Sequence, residues 1–279
     1  MTTAKAIWWQ NLTAPDLLAH ARKDDIAVLP IGAIEQHGPH CPCGSDDFNA
    51  IGLAEHLSAR TGVMLLPCPM YGSHPFHHWG MPGNIPLRFE THIALIEDII
   101  KGAKVAGFNK FIILSAHGQV SSTIVAVHKL GLANIFTLSL HWYDFLRDQK
   151  TILETGMWHA DEAETSMALY LYPQFVDMSK ADKGGGAPLV DKRFIVGPGM
   201  PAGPGMMYHF EGTFARPEVR ELKNGIIGDA TRATVAKGEA MVTTVVGYMA
   251  DLIEDIRSRY APGVNPLETE PPADSPWTK

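Results

Sequence analysis

Cysteine is scarce in this 279-residue chain, with only Cys41, Cys43 and Cys68 present. Three thiols are too few, and odd in number, for a disulfide framework. Charge is sparse too, at 19% of residues, and 23 basic against 30 acidic side chains leave a net −7 with no basic run. Nucleic acid is therefore not an expected partner. No uninterrupted apolar stretch approaches the roughly 18–20 residues that crossing a bilayer takes, so no membrane span is expected. The opening residues, MTTAKAIWWQ, do not lead into a signal-peptide apolar region, and the expected location is the cytoplasm. Internal repeats and linker-like stretches are also missing. What is present is 46% hydrophobic, enough for a sizeable core. The one unusual count is histidine, 13 residues, and they are clustered.

Four short apolar runs, at 26–31, 63–66, 111–114 and 135–140, are continuous rather than alternating and predict buried parallel strands. Helical spacing lies between them: at 47–58, in a segment capped by Thr91 that carries Ile93, Ile96, Ile99 and Ile100, and at 122–132. The alternation predicts an α/β fold, with βαβ units around a parallel sheet. A further helix is expected from Glu162 to the stop at Pro173. A long amphipathic one is expected from about Asp229, with Val242, Val245, Val246, Met249, Leu252, Ile253 and Ile256 at three-four spacing. The glycine- and proline-rich stretch 184–205 predicts a loop or lid. One domain over 1–260 is expected, followed by a loose Pro- and Glu-rich tail at 261–279.

Ligands of open parallel sheets bind beyond the carboxyl ends of the strands. Here the first strand runs into Glu35-Gln36-His37-Gly38 and then Asp46. The second leads to Tyr71, His74, His77 and His78, the third to His117 and the fourth to His141-Trp142. Glu35 and His37 are two apart, so in an extended segment they share a side, and the Pro39, Pro42 and Gly44 turns can fold Asp46 back toward them. Two carboxylates and two imidazoles suit a catalytic Zn²⁺ or Mn²⁺, with Fe²⁺ also compatible. Asp46 is placed to bridge two ions. Each residue alone is as well explained by hydrogen bonds to loop backbone; the four together carry the metal reading.

A second constellation spans His159 to Ser166. Its carboxylates, Glu162 and Glu164, fall in the first turn of a helix, where the dipole favours them in any protein. The functional reading makes Glu164 a further ligand and His159 a proton shuttle. Cys41-Pro42-Cys43 lacks a second pair and reads as two small buried hydrophobes. Trp79 and Trp142, near the rim, are the tryptophans best placed to contact a ligand.

These residues resemble the creatininase (creatinine amidohydrolase) family. Residues 30–46, PIGAIEQHGPHCPCGSD, are similar to its E-Q-H-G-P-H block followed by G-[ST]-D. Tyr71-Gly72, Met81-Pro82-Gly83-Asn84, Ala116-His117-Gly118, His159 to Ser166 and Gly225 to Asp229 resemble its later elements. The resemblance implies a layered parallel-sheet fold, oligomers that are often hexamers, and one or two divalent metals per chain. It assigns Glu35, His37, Asp46 and His117 as ligands, with Asp46 bridging. Creatininase itself has a glutamate ligand two residues after the strand-end histidine; here that position is Gln119, and Glu164 is the expected replacement. The implied reaction is hydrolytic opening of a small cyclic polar substrate at an amide C–N bond. The same machinery suits C–C opening of a cyclic diketone such as 3-dehydro-scyllo-inosose, for which His74, His77, His78 and Gln119 would supply hydrogen bonds. A catalytically silent metabolite-binding protein is the alternative from another class.

Overall fold

The computed structural model describes residues 5–74, 80–146, 151–185 and 224–267. Five parallel strands form the central sheet: β1 (Ile7–Trp8), β2 (Ile26–Ile31), β3 (Met64–Leu65), β4 (Lys110–Ser115) and β5 (Phe136–His141). Their order is β1-β3-β2-β4-β5. The four apolar runs of the sequence correspond to β2, β3, β4 and β5. Strand β1, only two residues long, carries too short a pattern to be read from sequence.

Both faces of the sheet are covered at its centre, which is why β2, β3 and β4 are buried along their whole length. Ile26 and Val28 of β2 join Ile112 and Leu114 of β4 in the core beneath α2 (Ser45–Thr61), α5 (Glu162–Leu171) and α6 (Val235–Arg259). Ala27, Leu29 and Ile31 face the other way with Phe111 and Ile113, under α1 (Ala14–Ala21), α3 (Phe89–Val105) and α4 (Val120–Leu132). The result is a three-layer α/β/α sandwich.

Helix limits differ from expectation where a loop contact decides them. Helix α3 begins at Phe89 rather than after Thr91, because the Leu87 amide bonds Gly72 O at 2.9 Å and delivers the chain to the helix earlier. Helix α6 starts at Val235, not near Asp229, and Thr234 is its N-cap, accepting from Lys237 N at 3.2 Å. Asp229 instead lies in β7 (Gly228–Asp229), which pairs antiparallel with β6 (Lys183–Gly184). The expected lid therefore opens with a strand residue, and its remainder from residue 186 lies outside the described residues.

Ala261 and Gly263, at the start of the expected tail, are held by hydrogen bonds. Lys110 Nζ, fully buried, lies 2.6 Å from Asp25 Oδ1 and 3.1 Å from Ala261 O, while Gly263 N donates to Asp25 Oδ2 at 2.9 Å. A buried ammonium needs such partners. They fasten the end of the described chain under the amino edge of the sheet, opposite the histidines. Among the described residues, no helix is long and apolar enough to cross a membrane.

Candidate metal centre

The loop after β2 closes on itself. Glu35 N donates to Cys43 O at 2.8 Å, and His37 and Cys41 form an antiparallel bridge. This return brings Asp46, in the first turn of α2, back to the loop's start. Gly32 permits the approach: a Cβ there would lie 2.4 Å from Asp47 N.

Nδ1 of His37 is 3.0 Å from the Glu35 carbonyl oxygen. With a proton on Nδ1 donated there, Nε2 is left as a ligand nitrogen, a common arrangement around metal-binding histidines. Nε2 stands 3.2 Å from Asp46 Oδ1 and 3.5 Å from Glu164 Oε2. From β4, His117 places Nδ1 2.8 Å from Glu35 Oε2 and 2.9 Å from Asp46 Oδ2. Asp46 thus lies between the two imidazoles.

Helix α5 delivers Glu164. Asp161 caps the helix, accepting from Ala163 N at 2.9 Å and Glu164 N at 3.2 Å. Ala160, at φ +50°, adopts the left-handed conformation and turns its N–H onto Glu164 Oε2 at 2.5 Å. The twist fixes the glutamate's orientation at a cost of about 1–2 kcal/mol. His159 lies at the margin, its Nε2 2.8 Å from Gln36 O and 3.6 Å from Glu35 Oε1.

Three overlapping groups each offer ligand atoms within 4.8 Å of one another: His37, Asp46 and Glu164; Glu35, His37 and His159; Glu35, His74 and His117. All of these side chains are buried. Crowded buried carboxylates require compensating charge. Burial opposes a proton on His117, yet Glu35 and Asp46 outweigh it and push the imidazole up to about 10. Burial likewise opposes charge on His37, and Asp46 followed by Glu164 raises it well above its ordinary value. Asp46 is held low: burial alone would raise it, but His37 and His117 prevail. The pocket is therefore built around positive charge. Its mixture of imidazole and carboxylate donors fits a divalent transition metal.

Not every expected residue joins the cluster. Gln119 is buried with both ends of its amide engaged: Oε1 accepts from Ser73 N at 3.2 Å, and Nε2 donates to Gly32 O at 3.1 Å and Ser115 Oγ at 3.3 Å. It holds two backbone groups and the Ser115 hydroxyl. Trp142, expected at the rim, is fully buried in the apolar core, because the chain turns inward directly after β5. His78 and Trp79 lie outside the described residues. Among the described residues, neither Cys41 nor Cys43 belongs to a metal-binding group, and Cys43 is exposed rather than core. Three contributors escaped the sequence reading of the centre. His74 was noted only as a hydrogen-bonding candidate; Gln36 touches His159, with Nε2–Nε2 3.0 Å; and Asn84 accepts the Gln36 amide at 2.6 Å. The only sequence signal for the last two was their place inside the motif blocks.

A three-layer sheet protein with buried carboxylates and imidazoles gathered at its strand ends has the make-up of a metal-binding enzyme. The chain is a member of the creatininase family, whose model, described as creatinine amidohydrolase, matches residues 10–253. It is 31% identical over 277 residues to the 3-dehydro-scyllo-inosose hydrolase of Thermotoga maritima, covering 95% of this chain and 88% of that one. Identity to the creatinine amidohydrolase of Pseudomonas putida is 25% over 273 residues, covering 90% and 98%. A crystal structure of creatininase superposes with a TM-score of 0.72 at 22% identity, over 92% of this chain and 99% of that one. Solved forms of creatininase include a Zn–Zn type and an Mn form.

Proposed function

We propose that this hydrolase opens a small cyclic polar substrate at a ring carbonyl, using water activated by divalent metal held by Glu35, His37, Asp46, His117 and Glu164. The observation that carries this reading is the convergence of those five buried side chains, from the loop after β2, the first turn of α2, the turn after β4 and helix α5, on one pocket. Zinc or manganese bound there supplies a lowered water pKa and polarisation of the attacked carbonyl. The protein's own contribution is positional. Glu35 O orients His37, Ala160 N orients Glu164, and burial keeps bulk water away. His159, beside the cluster, donates the proton that the departing ring atom needs.

Two bonds fit this scheme. Cleavage of a cyclic amide places the electron pair and the His159 proton on nitrogen, and the family's creatinine amidohydrolases support it. Cleavage of a C–C bond in a cyclic polyhydroxylated diketone places them on carbon. The 31% identity to the inosose hydrolase over 95% of the chain favours this second reading. We further propose a homo-oligomer, on the family resemblance.

The test is to assay Zn²⁺- or Mn²⁺-loaded protein by NMR against cyclic amides, creatinine included, and against 3-dehydro-inososes. Ring opening in either panel supports the hydrolase, and the product identifies the bond. Tight binding without turnover in both would leave a silent metabolite-binding protein.

A further inference from the structure

We infer that Gln36 is the positioning residue of His159: it meets the imidazole Nε2 with an acceptor and a donor at once, and so holds the ring beside the metal cluster instead of within it. The inference rests on the hydrolase reading above and deepens it. Nε2 of His159 lies 2.8 Å from the Gln36 carbonyl oxygen and 3.0 Å from the Gln36 side-chain nitrogen. An imidazole nitrogen bearing hydrogen donates to the first, and a bare one accepts from the second. The ring therefore keeps a partner, and its orientation, before and after a proton leaves Nε2. A partner that served only one form would release the ring at each transfer.

Backbone dictates which way the Gln36 amide points. Gly38 N donates to its Oε1 at 3.0 Å, and its Nε2 donates to Gly225 O at 3.0 Å. Neither partner tolerates a flipped amide, since an N–H needs an oxygen and a carbonyl needs a donor. The second hydrogen on Nε2 is left for His159. The main chain of Gln36 is held as well, its N–H donating to Asn84 Oδ1 at 2.6 Å. His159 is gripped by the same re-entering stretch: its N–H donates to Ile227 O at 3.2 Å, and its carbonyl accepts from Ile227 N at 3.0 Å. Residues 225–227 thus fix both the backbone of His159 and the amide that steers its ring. Steering matters because the alternative is close. Ligand atoms of Glu35, His37 and His159 lie within 4.8 Å of one another, and the His37 and His159 rings are 4.6 Å apart between centroids. A small swing would make His159 a further ligand and end its use as a proton carrier.

The experiment is the imidazole nitrogen NMR spectrum of Zn²⁺-loaded protein, in which coordinated, protonated and bare ring nitrogens differ in shift; His159→Gln assigns the signals. Wild type is compared with Gln36→Met, which keeps the side chain's length without its polar groups. Gln36→Asn, a methylene too short to reach both partners, is the second variant, and circular dichroism checks the fold of each. Wild-type His159 should show an ordered ring with no coordinated nitrogen, and the variants a broadened or zinc-coordinated one. A zinc-coordinated His159 in wild type, or an unchanged His159 spectrum in either folded variant, overturns the inference. Turnover of a compound opened in the assay above gives a second reading. Gln36→Met should lower kcat by nearly the factor of about 10² expected for His159→Ala, with KM little changed. The double variant should be no slower than His159→Ala alone, whereas additive losses would show that Gln36 acts elsewhere. Should no compound be opened, the hydrolase reading falls while the spectrum still decides for or against Gln36.

Discussion

Nε2 of His37 stands 3.2 Å from Oδ1 of Asp46, while Oδ2 of the same aspartate lies 2.9 Å from His117 Nδ1. One carboxylate therefore serves both imidazoles. Asp46→Ala should abolish metal retention and turnover together, as measured by elemental analysis and by the ring-opening assay. Full activity in this variant would refute the mechanism.

His159 is closer to Gln36 O, at 2.8 Å, than to either neighbouring carboxylate. That position suits a proton carrier better than a ligand. His159→Ala is expected to keep its metal and lower kcat by about 10²-fold or more, the usual loss for a general acid or base. Loss of metal in the same variant would reassign the residue to the coordination sphere it shares with Glu35 and His37.

At the opposite end of the sheet, Asp25 and Lys110 form a pair with neither side chain reaching solvent. Asp25→Ala strands a buried ammonium and also frees the Gly263 amide. Breaking such a pair costs about 3–5 kcal/mol, readable as a fall in the urea midpoint. An unchanged midpoint would mean that Lys110 finds another partner.

Two buried histidines outside the proposed coordination sphere predict acid sensitivity. Burial, then the charge of His37, lowers His40 to about 4 from its ordinary 6.5. Burial, then His117, does the same for His92. The unfolded chain takes up these protons near 6.5, where the native chain does not. Stability from both groups is therefore complete above about pH 6.5 and declines as pH falls toward about 4. The difference in melting between metal-free wild type and metal-free His92→Gln should follow this decline, with a slope of roughly one proton. An unaltered slope would remove His92 from the account.

Much of the fold was legible because fully buried parallel strands carry apolar runs, as β2, β3 and β4 do here, whereas β5 at the sheet's edge is only partly buried and alternates. Ligands within contiguous motifs were legible too: Glu35, His37 and Asp46 share one loop, and His117 follows the apolar run of β4. His74 was harder to assign, since its meeting with Glu35 and His117 depends on contacts made by Ser73, Leu87 and Gln119 across the chain. The bonds of Gln119 to Gly32, Ser73 and Ser115 were illegible for a related reason, since its partners lie on other segments of the chain. The burial of Trp142 was illegible because sequence proximity to a strand end does not say whether the next residue turns outward or into the core.

Gly32 and Gly72 contribute no side chain, yet added bulk at either would push on groups that shape the centre. A methyl at Gly32 would displace the first turn of α2, and with it Asp46; one at Gly72 would displace Gln119, which anchors the approach to His74. In a saturation screen for activity, these two positions should therefore be as intolerant as the ligands themselves. The pocket's tolerance of mutation is set in part by places where the chain must remain empty.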